Sequence, residues 1–214
     1  MTAQWGPLGW MTLHGISLLY PDRPTANDKI QLQQFLQNFA ESITCSYCER
    51  HFKAMFENYR KLHPEWANSR FDVFLFVCRA HNSVNKRLSK PLKKSVQDCL
   101  DSIVLATTYT PLPEFRKQYI EYVLKTMSRE YSGDGAIKHG YAKAMQRIND
   151  TYWNSKIAGD TSGFPRDVNV LDLIPSEPTS QRIMTFNMSQ PVVVQGTQPS
   201  LRLSGGRLRL IGNR

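Results

Sequence analysis

The sequence contains no apolar run of the roughly 18 residues that a membrane-crossing helix requires, so no transmembrane helix is expected. Its opening stretch, MTAQWGPLGW, lacks the basic and apolar regions of a secretory signal, and a cytosolic protein is expected from it. Cysteine is scarce, with four residues in 214. In a cytosolic chain that scarcity makes a closely spaced pair a catalytic or metal-binding feature more readily than a structural staple. Acidic residues are missing from one end: from Arg182 onward there are five arginines (182, 202, 207, 209 and 214) and no Asp or Glu. That segment accounts for much of the net charge of +9. Such a tail suits contact with nucleic acid, anionic lipid or an acidic partner. Only Phe186 is aromatic among its arginines, so base stacking has little support and a plain solvated tail stays open.

What is present is a helical pattern. The hydrophobic fraction of 41% is enough for a packed core. WGPLGWMTLHGISLLY reads as a mostly buried helix after Pro7, broken by YPDRPT. From Ala26, the residues Ile30, Phe35, Leu36, Phe39 and Ile43 mark a second, amphipathic helix. Thr44 is the expected N-cap of a third, which carries Phe52, Met55, Phe56 and Tyr59 and stops before Pro64. Asn68 or Ser69 caps a fourth, ending before SKP, and a short segment, KKSVQDCLDSIV, follows. The expected fold class is therefore all-α: a four-helix bundle over residues 1–105, then a helical region at 106–158 with two helices split by SGDG. From 159 to 214 the periodicity fades into an extended or disordered basic tail, with PVVVQG a candidate docked strand.

The stretch ITCSYCERHF holds Cys45 and Cys48, two residues apart, at the start of the third helix. Three readings compete. A cysteine in the first helical turn feels unpaired N–H groups and the positive dipole end, which favour its thiolate; such a pair forms an exchangeable redox disulfide. Cys78 and His81 repeat the spacing, so a zinc site of Cys45, Cys48, Cys78 and His81 is the second reading. It would stabilise a helical adaptor whose basic tail binds nucleic acid. Ordinary thiols are the third, and Cys78 on an apolar helix reads first as a small buried hydrophobe. Taken alone, Trp10 and His14 are ordinary core residues, and Asn82 and Asn85 satisfy backbone groups near a helix end.

Three elements in order, WGPLGWMTLH, CSYC and HNSVNKRLSKP, resemble the Erv/ALR family of flavin-linked sulfhydryl oxidases. The opening looks most like the versions encoded by large cytoplasmic DNA viruses, and the resemblance covers residues 5 to about 100. It implies a four-helix bundle with a short fifth helix, FAD in the bundle mouth, and transfer of electrons from dithiols to O2 with release of H2O2. It implies that Cys45 and Cys48 are catalytic, with Cys48 beside the flavin, and that the metal reading falls away. Gly6, Trp10, His14, His81, Asn82, Asn85, Lys86 and Lys90 would hold the cofactor, and Cys78 and Cys99 would form a structural disulfide. A homodimer through the first helices is implied as well. Ser89 departs from the glycine usual before KP, and no cysteine remains for a shuttle pair. Electrons would then come from a protein dithiol directly or from a thioredoxin-like partner. If the chain is viral, infected-cell cytoplasm and the virion are the implied locations.

Overall fold

Residues 2–130 and 132–175 are described by the computed structural model, and they contain the expected helices with bounds set by identifiable caps. Helix α1 (Thr2–Leu19) runs through Pro7 instead of starting after it, at the expense of one backbone hydrogen bond. Helix α2 (Ala26–Glu41) begins with a reciprocal capping box between Thr25 and Asp28. Helix α3 (Ser46–Leu62) is capped by Cys45, not by Thr44: the Cys45 sulfur itself accepts the Cys48 N–H. Ser69 caps α4 (Arg70–Arg87), and a second capping box of Ser95 and Asp98 opens α5 (Val96–Ala106).

Helix α6 (Leu112–Met127) carries proline in its first turn, where the missing N–H is harmless. The SGDG expected to separate two helices instead begins α7 (Gly133–Thr151), with Ser132 as N-cap. Gly135 is required there, since a Cβ would lie 2.7 Å from the Glu130 Cβ. A short 3-10 turn, Trp153–Ser155, ends the helical part.

Two apolar clusters hold these elements. The larger joins α1 to α4 with α6 and α7, and its fully buried members include Tyr20, Phe35, Phe76, Tyr119 and Trp153. Helix α6 packs on α1, and α7 packs on both α2 and α6. Gly9 lets α1 come close, with the Tyr119 and Phe39 rings 3.2 and 3.3 Å from where its Cβ would stand. Much of the apolar surface of α1 and α2 is thus packed against helices of the same chain, while Ile30 of α2 stays exposed.

The smaller cluster joins Met11, Phe74, Cys78, Cys99 and Ile103 to Phe164 and Val170. The latter two belong to an extended segment that follows the helices and is hydrogen-bonded along its length. Gly159 N–H donates to the Leu18 carbonyl at 3.0 Å, and Arg70 donates to the Asp160 carbonyl at 2.9 Å. Val96 and Gln97 donate to the carbonyls of Val168 and Arg166, and Val170 donates to Lys94. PVVVQG and the basic residues from Arg182 lie outside the described residues. Among those described, no helix is long and apolar enough to cross a membrane.

Candidate active site

Cys45 stands at the N-cap with extended backbone (φ −96°, ψ 107°), which turns the chain so that Cys48 falls in the first helical turn. The two are joined by a disulfide, with Cα atoms 5.2 Å apart. The Cys48 N–H that points at the Cys45 sulfur (3.3 Å) is one of the four donors a helix start leaves without a partner. A thiolate at position 45 would meet that donor and the positive end of the helix, so the local fold favours the reactive form. Between the cysteines, Tyr47 is 56% exposed, with the Arg87 guanidinium 5.2 Å over its ring and the His51 ring edge-on at 4.3 Å.

Behind the disulfide lies a cavity of about 640 Å3 walled by α1, α3, α4 and α5, with Phe39 of α2, Ile43 and the loop after α4. Cys48 lines it and Cys45 does not. Of the residues expected to hold a cofactor, Gly6, Trp10, His14, His81, Asn82, Asn85 and Lys90 are on the wall. Lys86 is not: His81, Asn85 and Leu88 share one helical face, and Lys86 is turned about 100° from Asn85, into solvent. Arg87 and Lys93 supply cationic groups there instead. Arg87 could have been read from the helical period, three residues after the wall residue Val84. Lys93, and Ile103 from α5, had no local signal, because loop and helix–helix geometry bring them in. Lys90 is placed by the end of α4, where Ser89 adopts the left-handed conformation (φ 53°) and Lys90 N–H returns to the Asn85 carbonyl at 2.8 Å. This is the position where the family pattern has glycine.

Trp10 lies flat on His81, with ring centroids 4.4 Å apart and planes within 5°. His81 Nδ1 and His14 Nε2 are 3.2 Å apart, a hydrogen bond in which one neutral ring donates to the other. Burial, reinforced by His81, holds His14 well below the ordinary 6.5. Burial, then Lys90 and Lys93, lowers His81 to about 4. A base with a depressed folded pKa leaves the unfolded chain as the better proton acceptor, so stability falls as pH drops from about 6.5 towards about 4. Each histidine contributes a slope of at most ~1.4 kcal/mol per pH unit. Urea unfolding at pH 7, 6 and 5 should show this decline, and His81→Asn should flatten it. Asp28, held below the usual carboxylate range by its hydrogen bonds against the opposing effect of burial, acts only below its ordinary 3.8, outside this window.

The Asn82 amide is already occupied. It donates to the carbonyls of Lys93 (2.8 Å) and Val170 (2.9 Å) and accepts the Lys93 N–H (3.0 Å), clasping the loop after α4 to the extended segment. Cys78 and Cys99 adjoin the same cavity, but they are buried free thiols here, where a disulfide was expected. Burial first, then the hydrogen bond with Cys99, pushes the Cys78 thiol well above its ordinary value. The zinc site does not assemble, since Cys45 and Cys48 are joined to each other. Among the described residues no group of three or more potential ligands comes together.

The family model described as Erv1 / Alr family matches residues 8–102. The chain is 35% identical over 88 residues to the mitochondrial FAD-linked sulfhydryl oxidase ERV1 of Saccharomyces cerevisiae, covering 41% of this chain and 44% of that protein. It is 35% identical over 89 residues to the FAD-linked sulfhydryl oxidase of African swine fever virus (isolate Tick/Malawi/Lil 20-1/1983), covering 41% and 71%. It is 34% identical over 91 residues to the putative FAD-linked sulfhydryl oxidase 347L of Invertebrate iridescent virus 6, covering 41% and 82%. The match thus spans less than half of the yeast protein and most of the viral ones. No solved structure matches the chain.

Proposed function

This chain belongs to the Erv1/Alr family, and on that premise we propose that it is an FAD-dependent thiol oxidase that makes disulfides in dithiol substrates. The observation that carries the proposal is the asymmetry of the disulfide: Cys48 lines the cavity while Cys45 lies off it. The residues present suit FAD. Flat rings at Trp10 and His81 offer a stacking surface, and Lys90, Lys93 and Arg87 offer positive charge for a diphosphate. Arg87 and His14 each keep a buried nitrogen without a hydrogen-bond partner among the described residues. Lys86 is no part of this set.

The residues of the chain divide the work. A substrate thiolate attacks the Cys45 sulfur; the Cys45–Cys48 bond breaks, a mixed disulfide forms, and Cys48 leaves as a thiolate on the cavity wall. The second substrate thiol loses its proton and displaces Cys45, releasing the substrate as a disulfide and leaving two electrons on the cysteine pair. The start of α3 stabilises the thiolate at 45, and the apolar wall keeps water from the one at 48. FAD, when bound, accepts these electrons and passes them to O2, giving H2O2.

The substrate is a protein dithiol or a thioredoxin-like partner in this reading. A homodimer, implied by the resemblance, stays in this reading, with an interface on surfaces other than those where α6 packs on α1 and α7 on α2. Cys78 and Cys99, adjacent beside the cavity, are the pair whose oxidation would tie α4 to α5. Infected-cell cytoplasm and the virion, the locations implied if the chain is viral, are the place of action in this reading.

The test is the visible spectrum of the purified protein, followed by dithiothreitol with and without air. A yellow protein is expected. Its flavin band should bleach under the dithiol without oxygen, and in air it should consume one O2 and form one H2O2 per dithiol. A colourless protein that leaves oxygen untouched overturns the proposal.

A further inference from the structure

Helix α7 lies beyond the family-matching segment, yet one of its side chains reaches the redox turn. Lys138 is only 4% exposed. Its Nζ donates to the Ile43 carbonyl at 2.9 Å and to Glu49 Oε2 at 2.7 Å. Ile43 precedes Cys45 by two residues, and Glu49 directly follows Cys48. One ammonium therefore ties down the chain on both sides of C-S-Y-C. The other Glu49 oxygen is held by Lys53 at 2.6 Å, and Lys53 also pairs with Glu41 at the end of α2 at 2.6 Å. Asp134, one turn earlier on α7, approaches Lys138 at 3.7 Å from the solvent side.

Charge gives this clasp a chemical consequence. Glu41, Glu49 and, on the solvent side, Asp134 carry three negative charges in this cluster, and Lys53 and Lys138 carry two positive ones, both of them on Glu49. Burial opposes the Glu49 charge, but hydrogen bonds from Lys138 and Lys53 hold its carboxyl below the ordinary value, so it is ionised. Without Lys138 an ionised carboxylate one residue from Cys48 would keep one partner in place of two. A negative charge there repels a thiolate.

We propose that Lys138 is a positioning residue for the redox turn, fixing the Ile43–Glu49 segment at the start of α3 and cancelling the Glu49 charge that would otherwise oppose the Cys45 and Cys48 thiolates. The inference rests on reading that pair as the redox centre. It gives the helical region beyond residue 105 a part in the chemistry: one helix of it braces the turn that carries the disulfide.

The full-length chain tests this without turnover. Reduced protein is alkylated with iodoacetamide across pH, and the Cys45–Cys48 disulfide is equilibrated anaerobically against reduced and oxidised glutathione. Lys138→Met should raise the alkylation midpoint by about one pH unit and move the exchange equilibrium several-fold towards disulfide. Lys138→Arg should stay close to the parent. Glu49→Gln, which removes the repelling charge and leaves Lys138, should shift both quantities the opposite way, and Lys138→Met/Glu49→Gln should return towards the parent. A folded Lys138→Met with unchanged midpoint and equilibrium overturns the proposal. If that variant does not fold, Glu49→Gln decides: no downward shift overturns it equally. Neither readout needs flavin or oxygen, so a protein that fails as an oxidase leaves this result interpretable on its own.

Discussion

With Cys48→Ser, dithiol-dependent oxygen consumption falls by more than about 1,000-fold while the flavin stays bound, the scale expected when a covalent nucleophile is removed. The cause is positional. Cys48 is the sulfur on the cavity wall, and Cys45 is the one off it. With serine at 48 there is no disulfide for a substrate thiolate to open, and Cys45 is left as a lone thiol with no leaving sulfur. Flavin content should hold because the aromatic and cationic wall residues, Trp10, His81 and Lys90, are on other elements. Cys45→Ser is the informative companion. It also stops turnover of protein dithiols, but it leaves a thiol at 48 in the cavity, so its flavin spectrum should differ from that of Cys48→Ser. The measurement is oxygen uptake with dithiothreitol beside the visible spectrum of each variant. Cys48→Ser with parental activity would sink the assigned division of labour.

The second large effect is on stability. Trp153→Ala should destabilise the protein by about 3–5 kcal/mol, the range for removing a large aromatic from a core. At this size that corresponds to a fall of roughly 10 °C in Tm. Trp153 is fully buried, with its ring edge-on to Phe35 of α2 at a centroid distance of 6.0 Å and against Tyr152 at 4.8 Å. It lies well beyond the matched residues 8–102, so the variant asks whether the later helices are an appendage or part of one core. The contacts of α6 with α1 and of α7 with α2 put them in one core. Thermal unfolding followed by circular dichroism should show a single transition moved down as a whole. A separate early transition that leaves the rest at the parental Tm would show that the helices unfold independently.

The helices were legible in the sequence because they are local, whereas the wall residues were named through the family resemblance and not from their own spacing. Apolar residues three and four apart identify the buried face of a helix, and Ser, Thr and Asp at its start identify the cap. His81, Asn85 and Leu88 could be placed together from spacing alone. The misreadings are local too. Lys86 was grouped with neighbours whose helical face it does not share, and Cys45 took the cap that Thr44 offered.

What lay beyond sequence reading involves residues far apart along the chain. Lys138 meets Ile43 across 95 positions and Glu49 across 89, and Asn82 meets Val170 across 88. An apolar stripe announces that a helix will be covered but not by what, since hydrophobic attraction has no direction and one apolar face suits another. The faces of α1 and α2 therefore read equally well as a dimer surface or as the seat of α6 and α7. The sequence by itself determined an all-α fold class with a cysteine pair at a helix start, and the family resemblance added the ring and cation residues. Only the tertiary structure decided that α6 packs on α1 and α7 on α2, and that a lysine from α7 clasps the turn carrying the disulfide. Those outcomes depend on how whole faces pack at once, and no window of neighbouring residues contains that information.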